Sequence, residues 1–423
     1  MARVVLATWG SYGDLFPIVG LALELKRRGH DAVVATCGFY GELVTSLGLG
    51  FHAVPPDIDP TDRQMFEWLL HARRGPDRLL RELLSPAIEE SYAATEAAAR
   101  GADLLVSHPV TFAVPLVARK HGIPFVSTAL APLTLFSRHD FPVLPGIPGS
   151  AFLRERGPTV RRILHSLVRA LSRHGMAPVD RLRERLGLPD AGHPLFEGQF
   201  SPLATLALFP TVLAEPQPDW PPNVVRAGFV SYNGPDPMPQ ALLEFLDAGP
   251  PPVTFTLGTS AVGAPGDFFR EAAAACVEAG CRGVLLVGRL PGNESPSVPA
   301  QGVMAVDYAP HAELFPRSAV IVHQAGMGTT SQALRAGKPQ LIVPHAHDQP
   351  DNAYRVNQMG VARVCTPTRF RSARVASHLR DLLAEGPHRI RAEALARTVR
   401  MDRGADAAAD KIEEVLRNRK EAT

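Results

Sequence analysis

Apolar residues fall along this chain in short unbroken runs, separated by stretches with helical spacing. Residues 3 to 8 (RVVLAT) predict a strand buried on both faces. A Gly-rich turn follows (WGSYGD), then an amphipathic helix over about 17 to 28 that Gly29 ends, then a second apolar run at 31 to 36. Strand, loop, helix, strand is the repeating unit of a parallel, doubly wound sheet. The unit recurs with a strand at 103 to 107, a helix over about 112 to 120 and a strand at 123 to 127.

Between 215 and 240 the rhythm breaks into proline-rich stretches, EPQPDWPP and YNGPDPMP. A second series then begins, with strands at 253 to 257, 283 to 287, 303 to 306, 319 to 322 and 340 to 343. Helices are expected near 267 to 278, 329 to 336, 350 to 358 and 372 to 384. The pattern predicts an α/β chain of two doubly wound domains facing a cleft: 1–225, a linker at 226–240, and 241–402. An amphipathic helix in 403–423 could cross back to the first domain. Ligands of such sheets bind beyond the carboxyl ends of the strands. The loops at 9–16, 107–111, 258–264, 307–311, 323–330 and 345–352 should therefore meet at the cleft.

Composition narrows the class without naming it. A length of 423 residues suits two such domains, and 45% hydrophobic with 20% charged residues is ordinary for a globular chain. A net charge of +2 demands no nucleic-acid partner. Cys37, Cys276, Cys281 and Cys365 are scattered, which predicts neither a zinc site nor a disulfide framework and points to a reducing, cytoplasmic setting. The first apolar run is too short for a signal peptide, and no run approaches the roughly 18 apolar residues of a membrane span.

The chemistry concentrates in HQAGMGTT, residues 323 to 330, which follows the run AVIV and opens a helix. Glycine lets backbone approach a ligand, and free N–H groups at a helix start suit a phosphate. Thr329 and Thr330 add hydroxyls, and His323 could donate to a diphosphate oxygen. A tight turn in which glycine serves packing alone would look the same. The residues beyond it favour the ligand: Gly337 ends the helix, a strand runs 340 to 343, and Asp348 and Gln349 stand at its end, suited to sugar hydroxyls.

From Asp307 to Val356 the pieces DYAPHAELFPRS, HQAGMGTTSQAL, AGKPQLIVP and DQPDNAYRV occur in order. Together they resemble the donor-binding signature of the nucleotide-sugar glycosyltransferases with two Rossmann-like domains, the GT-B fold. Bacterial members such as the rhamnosyltransferases of rhamnolipid synthesis, the sterol glucosyltransferases and the antibiotic glycosyltransferases are similar. GSYGDLFP and LLVSHPVTFAVPLVARKHGIPFVSTALAP extend the likeness to the first half, most weakly at 55–100 and 138–225. The resemblance implies base contacts at Tyr308 and His311 and diphosphate contacts at His323, Gly326, Gly328, Thr329 and Thr330. It implies a further phosphate contact at Thr259 and Ser260, a ribose contact at Gln332 and sugar contacts at Asp348 and Gln349. Two positions depart: Ala325 replaces a common glycine, and Gln332 replaces a common glutamate.

The implied reaction is an inverting transfer of a hexose from a UDP- or dTDP-sugar to a hydroxyl of a small apolar acceptor. It needs a base but no cofactor and no metal. Many relatives use a histidine three residues before the loop proline; here that position is Asp14, as in antibiotic glycosyltransferases with a similar loop. Asp14 could equally cap the helix after it. His108, after the strand 103–107, should face the same cleft and could form a dyad with Asp14, or simply be a satisfied strand-end histidine.

Other signals weigh less. Asp57-Ile58-Asp59 spells a DxD metal motif in a proline-bounded loop, and His345, His347 and Asp348 could suggest ligands already accounted for by the donor motif. No GxGxxG follows the first strand, against an NAD enzyme. Residues 151–185 hold nine arginines against three acidic residues among apolar positions, a pattern open to peripheral membrane contact or to a solvated basic face. Phe66, Trp68, Phe112, Phe136 and Phe141 could line an apolar pocket or the core. Rival readings are a nucleotide-sugar epimerase, which the Asp14 loop argues against, and a catalytically inactive homologue acting as a binding or activator protein, which the full diphosphate loop together with Asp14 argues against.

Overall fold

The computed structural model describes residues 1–59, 62–147, 149–288 and 300–422. Two parallel sheets carry the chain. The first contains β1 (Arg3–Ala7), β2 (Asp31–Thr36), β3 (Gly50–Ala53), β4 (Leu104–Ser107), β5 (Phe125–Ala129), β6 (Thr205–Ala207) and β7 (Val224–Arg226), in the order β3-β2-β1-β4-β5-β6-β7. The second contains β8 (Val253–Thr256), β9 (Gly283–Leu286), β10 (Val303–Val306), β11 (Val320–His323), β12 (Gln340–Ile342) and β13 (Ala362–Val364), in the order β10-β9-β8-β11-β12-β13. Each order reverses beside its first strand, at β1/β4 and at β8/β11. Those reversals are where doubly wound sheets open a crevice for ligands.

Strands β3, β6, β7 and β13 were not among the expected strands. Each has only three or four residues, too few to show a pattern, and β3, β7 and β13 lie at sheet edges. Val224 and Val225, inside the proline-rich stretch, pair with Thr205 and Leu206 and so belong to the first sheet.

Helix α1 (Tyr12–Arg27) begins five residues earlier than the apolar spacing suggests. The cause is a capping box: Ser11 Oγ accepts from the Gly13 N–H at 3.2 Å, and Asp14 Oδ2 accepts from the Ser11 N–H at 3.0 Å. From there α1 buries Leu15, Ile18, Leu21 and Leu25 on the first sheet. Helix α2 (Pro158–Arg173) buries none of its residues fully. Helix α3 (Met327–Ala336) follows β11, and α4 (Gln349–Gln358) follows β12.

Helix α5 (Ala405–Ala422) packs against α1, adding Ala408, Ala409, Ile412, Val415 and Leu416 to the first core. Arg28, just past α1, is only 13% exposed and pairs with Asp406, with Asp410 at 2.7 Å and with Glu413 at 3.0 Å. The two crossings between halves run side by side, where the Gly404 N–H donates to Ala227 O at 2.8 Å and Thr211 Oγ1 donates to Asp402 Oδ1 at 2.7 Å.

Cys276 and Cys281 are five apart for a local reason. The helix Phe268–Ala279 ends on left-handed Gly280, the Cys281 N–H returns to Cys276 O at 3.0 Å, and the two side chains meet across that turn. Among the described residues no helix is long and apolar enough to cross a membrane.

Candidate active site

Asp14 stands third in α1, at the carboxyl end of β1, and its two oxygens do different work. Oδ2 caps Ser11, while Oδ1 lies 3.5 Å from His108 Nε2. The carboxylate is 38% exposed, whereas His108 is buried. His108 Nδ1 accepts from the Val110 N–H at 3.4 Å, which puts the ring proton on Nε2, aimed at Asp14. Gly10 permits the arrangement: a Cβ there would meet Asp14 Oδ2 at 2.3 Å. The two residues proposed as a dyad are thus brought together, and Asp14 is at the same time the helix cap.

The donor loop enters α3 with its first N–H groups uncapped by any side chain. Gly326, Met327 and Gly328 are partly exposed; a Cβ on Gly328 would meet nothing within 4 Å, so the helix start opens onto free space. Thr329 and Thr330 are buried behind it, and Thr330 Oγ1 has no partner among the described residues. Ala325 takes φ +70°, a conformation glycine adopts without strain, in keeping with the glycine that the resemblance implies there. Gln324 reaches across to the loop after β8, where Thr259 is partly exposed; the side chain of Ser260 lies outside the described residues.

His323 is engaged within the protein. It is fully buried, its Nδ1 accepts from the Ala325 N–H at 3.1 Å, and its Nε2 faces Gln340 Oε1 at 2.9 Å. Burial pushes it down to about 4, so the ring is neutral and holds the loop. To donate to a diphosphate it would first have to release Gln340. Tyr308 and His311 lie on the loop after β10. The Tyr308 hydroxyl donates to the Asn233 carbonyl, and His311 stacks on Phe315 with ring centroids 4.3 Å apart. Gln332 Nε2 donates to Asn233 Oδ1 at 2.9 Å, leaving its carbonyl oxygen to accept from a ribose.

Asp348 accepts from Asn352 Nδ2 at 2.7 Å, and the same nitrogen donates to Ala325 O at 2.9 Å, tying the position expected to hold the sugar to the loop expected to hold the diphosphate. Burial, with the nearby Asp14 charge adding to it, pushes Asp348 up to about 7. That influence places Asp14, on the first half, near Asp348, on the second. Burial also lowers His347, while Asp14 and the Leu69 carbonyl pull the other way. Gln349 Oε1 accepts from the His345 and Ala346 N–H groups at 2.8 and 3.2 Å, so only its amide nitrogen is left to donate to a sugar.

Sequence reasoning did not single out Gln340 or Asn352. Gln340 is a polar residue opening an apolar run, and Asn352 is four residues past Asp348, the spacing of one helix face; either signal could have found them. Asp57 accepts from the Gly38 N–H at 2.5 Å, a bond between the loops after β3 and β2. Phe66, Phe112 and Phe141 are buried. Of the nine arginines in 151–185, five (Arg154, Arg169, Arg173, Arg183, Arg185) form ion pairs, so the free basic charge is smaller than the sequence suggests. Beside it Ile163, Leu167 and Leu171 of α2 are each more than half exposed.

Known proteins fit this geometry. A family model described as "Erythromycin biosynthesis protein CIII-like, C-terminal domain" matches residues 285–415. O-mycaminosyltylonolide 6-deoxyallosyltransferase of Streptomyces fradiae is 33% identical, covering 97% of this chain and 97% of its own. The solved structure of spinosyn forosaminyltransferase SpnP superposes with a TM-score of 0.73 at 22% identity, over 98% of this chain and 99% of that one. The glycosyltransferase VinC in complex with dTDP gives 0.68 at 22% identity, over 98% and 100%. The two structures speak for the fold, and the full-length relative for the family. The chain belongs to the GT-B glycosyltransferases that include the enzymes of antibiotic glycosylation.

Proposed function

We propose that the chain moves a hexose from a dTDP- or UDP-sugar, with inversion and without a metal, onto a hydroxyl of a small apolar natural product. The first half, 1–225, takes the acceptor, and 241–402 takes the donor. The observation that carries this reading is the Asp14–His108 pair, placed within electrostatic reach of Asp348 from the opposite sheet. Asp14 accepts the acceptor's hydroxyl proton as that oxygen bonds to the anomeric carbon. The bond to the diphosphate breaks on the other side, and the uncapped N–H groups of α3 with Thr329 and Thr330 meet the charge of the leaving group. His108 Nε2–H orients Asp14. Asp348 and Gln349 hold the sugar, and Gln332 the ribose.

The dTDP of the VinC complex and the deoxyhexose in the name of the Streptomyces relative support a dTDP-sugar donor over UDP. Peripheral membrane contact through 151–185 would rest on α2's apolar stripe and on Arg156 and Arg162 beside it, which form no ion pair among the described residues.

The test is a thermal-shift series with dTDP, UDP, GDP and NAD, followed by product analysis with the matching sugar nucleotide. A ligand at 100 times its Kd adds about 2.7 kcal/mol, roughly 5 to 10 °C for domains of this size. A shift with a pyrimidine diphosphate and formation of a glycoside of inverted configuration are expected. No shift with either would favour an inactive homologue, and a shift with NAD alone would overturn the reading.

A further inference from the structure

Four charged residues from the two halves close into a ring that the chemistry above does not use. Asp351 and Arg355 lie on α4, within two turns of Asp348, and Asp140 and Arg154 lie in the segment after β5. Arg355 donates from Nε to Asp351 Oδ2 at 2.7 Å and from Nη1 to Asp140 Oδ2 at 2.6 Å. Arg154 donates from Nη2 to Asp140 Oδ1 and from Nη1 to Asp351 Oδ1 at 3.1 Å. The Val143 N–H completes the set, donating to Asp351 Oδ1 at 2.9 Å. Asp351 has no exposed surface, and Arg355 is 6% exposed.

An exposed ion pair constrains little, but a buried one cannot lose a member without stranding a charge. Each arginine here uses two arms of its fork on two different carboxylates, which fixes direction as well as distance. Asp351 and Arg355 share a rigid helix with Gln349, and Asp348 stands at its N-terminal end, held by Asn352 of the same helix. Where the ring holds α4 against the first half, it also sets where Asp348 sits relative to Asp14.

We propose that Asp140 and Arg154 are positioning residues for sugar transfer: through Asp351 and Arg355 they hold the first turn of α4, and with it Asp348, in register with Asp14. The proposal rests on the functional reading above. A misplacement of about 1 Å between reacting groups is enough to slow a reaction on the order of a hundredfold. The nucleotide contacts at 308–332 are made off α4 and meet it through the Asn352–Ala325 bond, so they should sense the ring far less than Asp348 does.

The experiment is Arg154→Met in the full chain, with three readouts. Amide exchange at Val143 reports the ring directly, calorimetry gives the affinity for free dTDP and UDP, and steady-state kinetics give kcat and KM for the sugar nucleotide. Exchange at Val143 should quicken at least tenfold, nucleotide affinity should stay within about twofold, and kcat should fall by about tenfold to a hundredfold. Arg154→Lys, which keeps the charge but not the fork, should recover only part of kcat. If Arg154→Met does not fold, Arg154→Leu with Asp140→Leu removes one charge of each sign and is read the same way. Faster exchange with unchanged kcat would reduce the ring to a structural role and overturn the proposal, as would unchanged exchange, or nucleotide affinity falling in step with kcat. A wild-type chain that binds neither nucleotide sinks the functional reading and this proposal together. A wild type that transfers sugar no faster than Arg154→Met sinks this proposal alone.

Discussion

Asp14 holds two jobs on one carboxylate, and substitution can separate them. Asp14→Asn keeps an oxygen to accept from the Ser11 N–H, so the cap survives. It loses a negative charge in the first turn of a helix, worth about 0.3 to 1 kcal/mol. Asp14→Ala loses the cap bond as well, for a total of about 0.5 to 2 kcal/mol. Neither cost unfolds a domain of ordinary stability. Catalysis responds differently, because an amide cannot accept the acceptor's proton. Removing a general base costs about 10² to 10⁴ in rate, or roughly 2.7 to 5.5 kcal/mol of barrier. Denaturant melts and steady-state kinetics on both variants should therefore show unequal stability losses but similar rate losses. His108→Gln removes the imidazole that lies 3.5 Å from Asp14 Oδ1, and loosening that contact with a charged group predicts a fall of about 10-fold. Asp14→Asn turning over within about threefold of wild type would refute the base assignment, and the carboxylate would be a cap and nothing more.

Asp348 is raised to about 7 in the fold from an ordinary 3.8, so its contribution to stability is full below 3.8 and is lost as pH rises through 7. Asp348→Asn should thus stabilise the chain at pH 8 by about 1 to 3 kcal/mol, allowing for partial exposure, with the gain shrinking toward pH 4 and donor use lost at every pH; melts across that range with donor kinetics check it. His311, His323 and His345 are each pushed down to about 4 by burial, so they take up protons on unfolding between 6.5 and 4. These histidines outweigh Asp348 and Asp180, whose carboxyls burial raises in the opposite sense, and stability should fall by roughly 1 to 3 kcal/mol per unit as pH drops through that window; melts from pH 7 to 4.5 showing no fall would contradict it. Deleting 405–423 removes Ile412, Val415 and Leu416 from the first core at about 1.5 to 3 kcal/mol each, enough to abolish soluble folding, read by circular dichroism and sedimentation.

How much of this was legible from the residues alone differs by element. The long buried strands β1, β2, β8 and β11 announced themselves as apolar runs, while three-residue strands such as β6 and β13 exist only because neighbours present an edge to pair with. The donor loop was readable because its parts are contiguous from 323 to 349. Asp14 and His108 could be proposed as partners because both sit at strand ends of one sheet, yet only the fold shows that one oxygen caps while the other meets the imidazole. His323 read as a phosphate donor because its position fits, and its bonds to Gln340 and Ala325 depend on a register no sequence pattern displays. The ring of Asp140, Arg154, Asp351 and Arg355 was invisible: its members stand up to 215 residues apart, and each alone looks like a solvated charge.

The return of α5 to α1 has a consequence for how such enzymes can be recombined. No contiguous stretch of gene encodes the first half, because its core is finished by residues 408–416, far downstream of 225. A chimaera joined at one point within 226–240 sets α1 of one parent against α5 of another, with Arg28 facing carboxylates it was not selected beside. An exchange in three segments, with residues 403–423 travelling alongside the N-terminal half, keeps that seam intact. Libraries built that way should hold their fold while exchanging the half that carries Asp14 and His108.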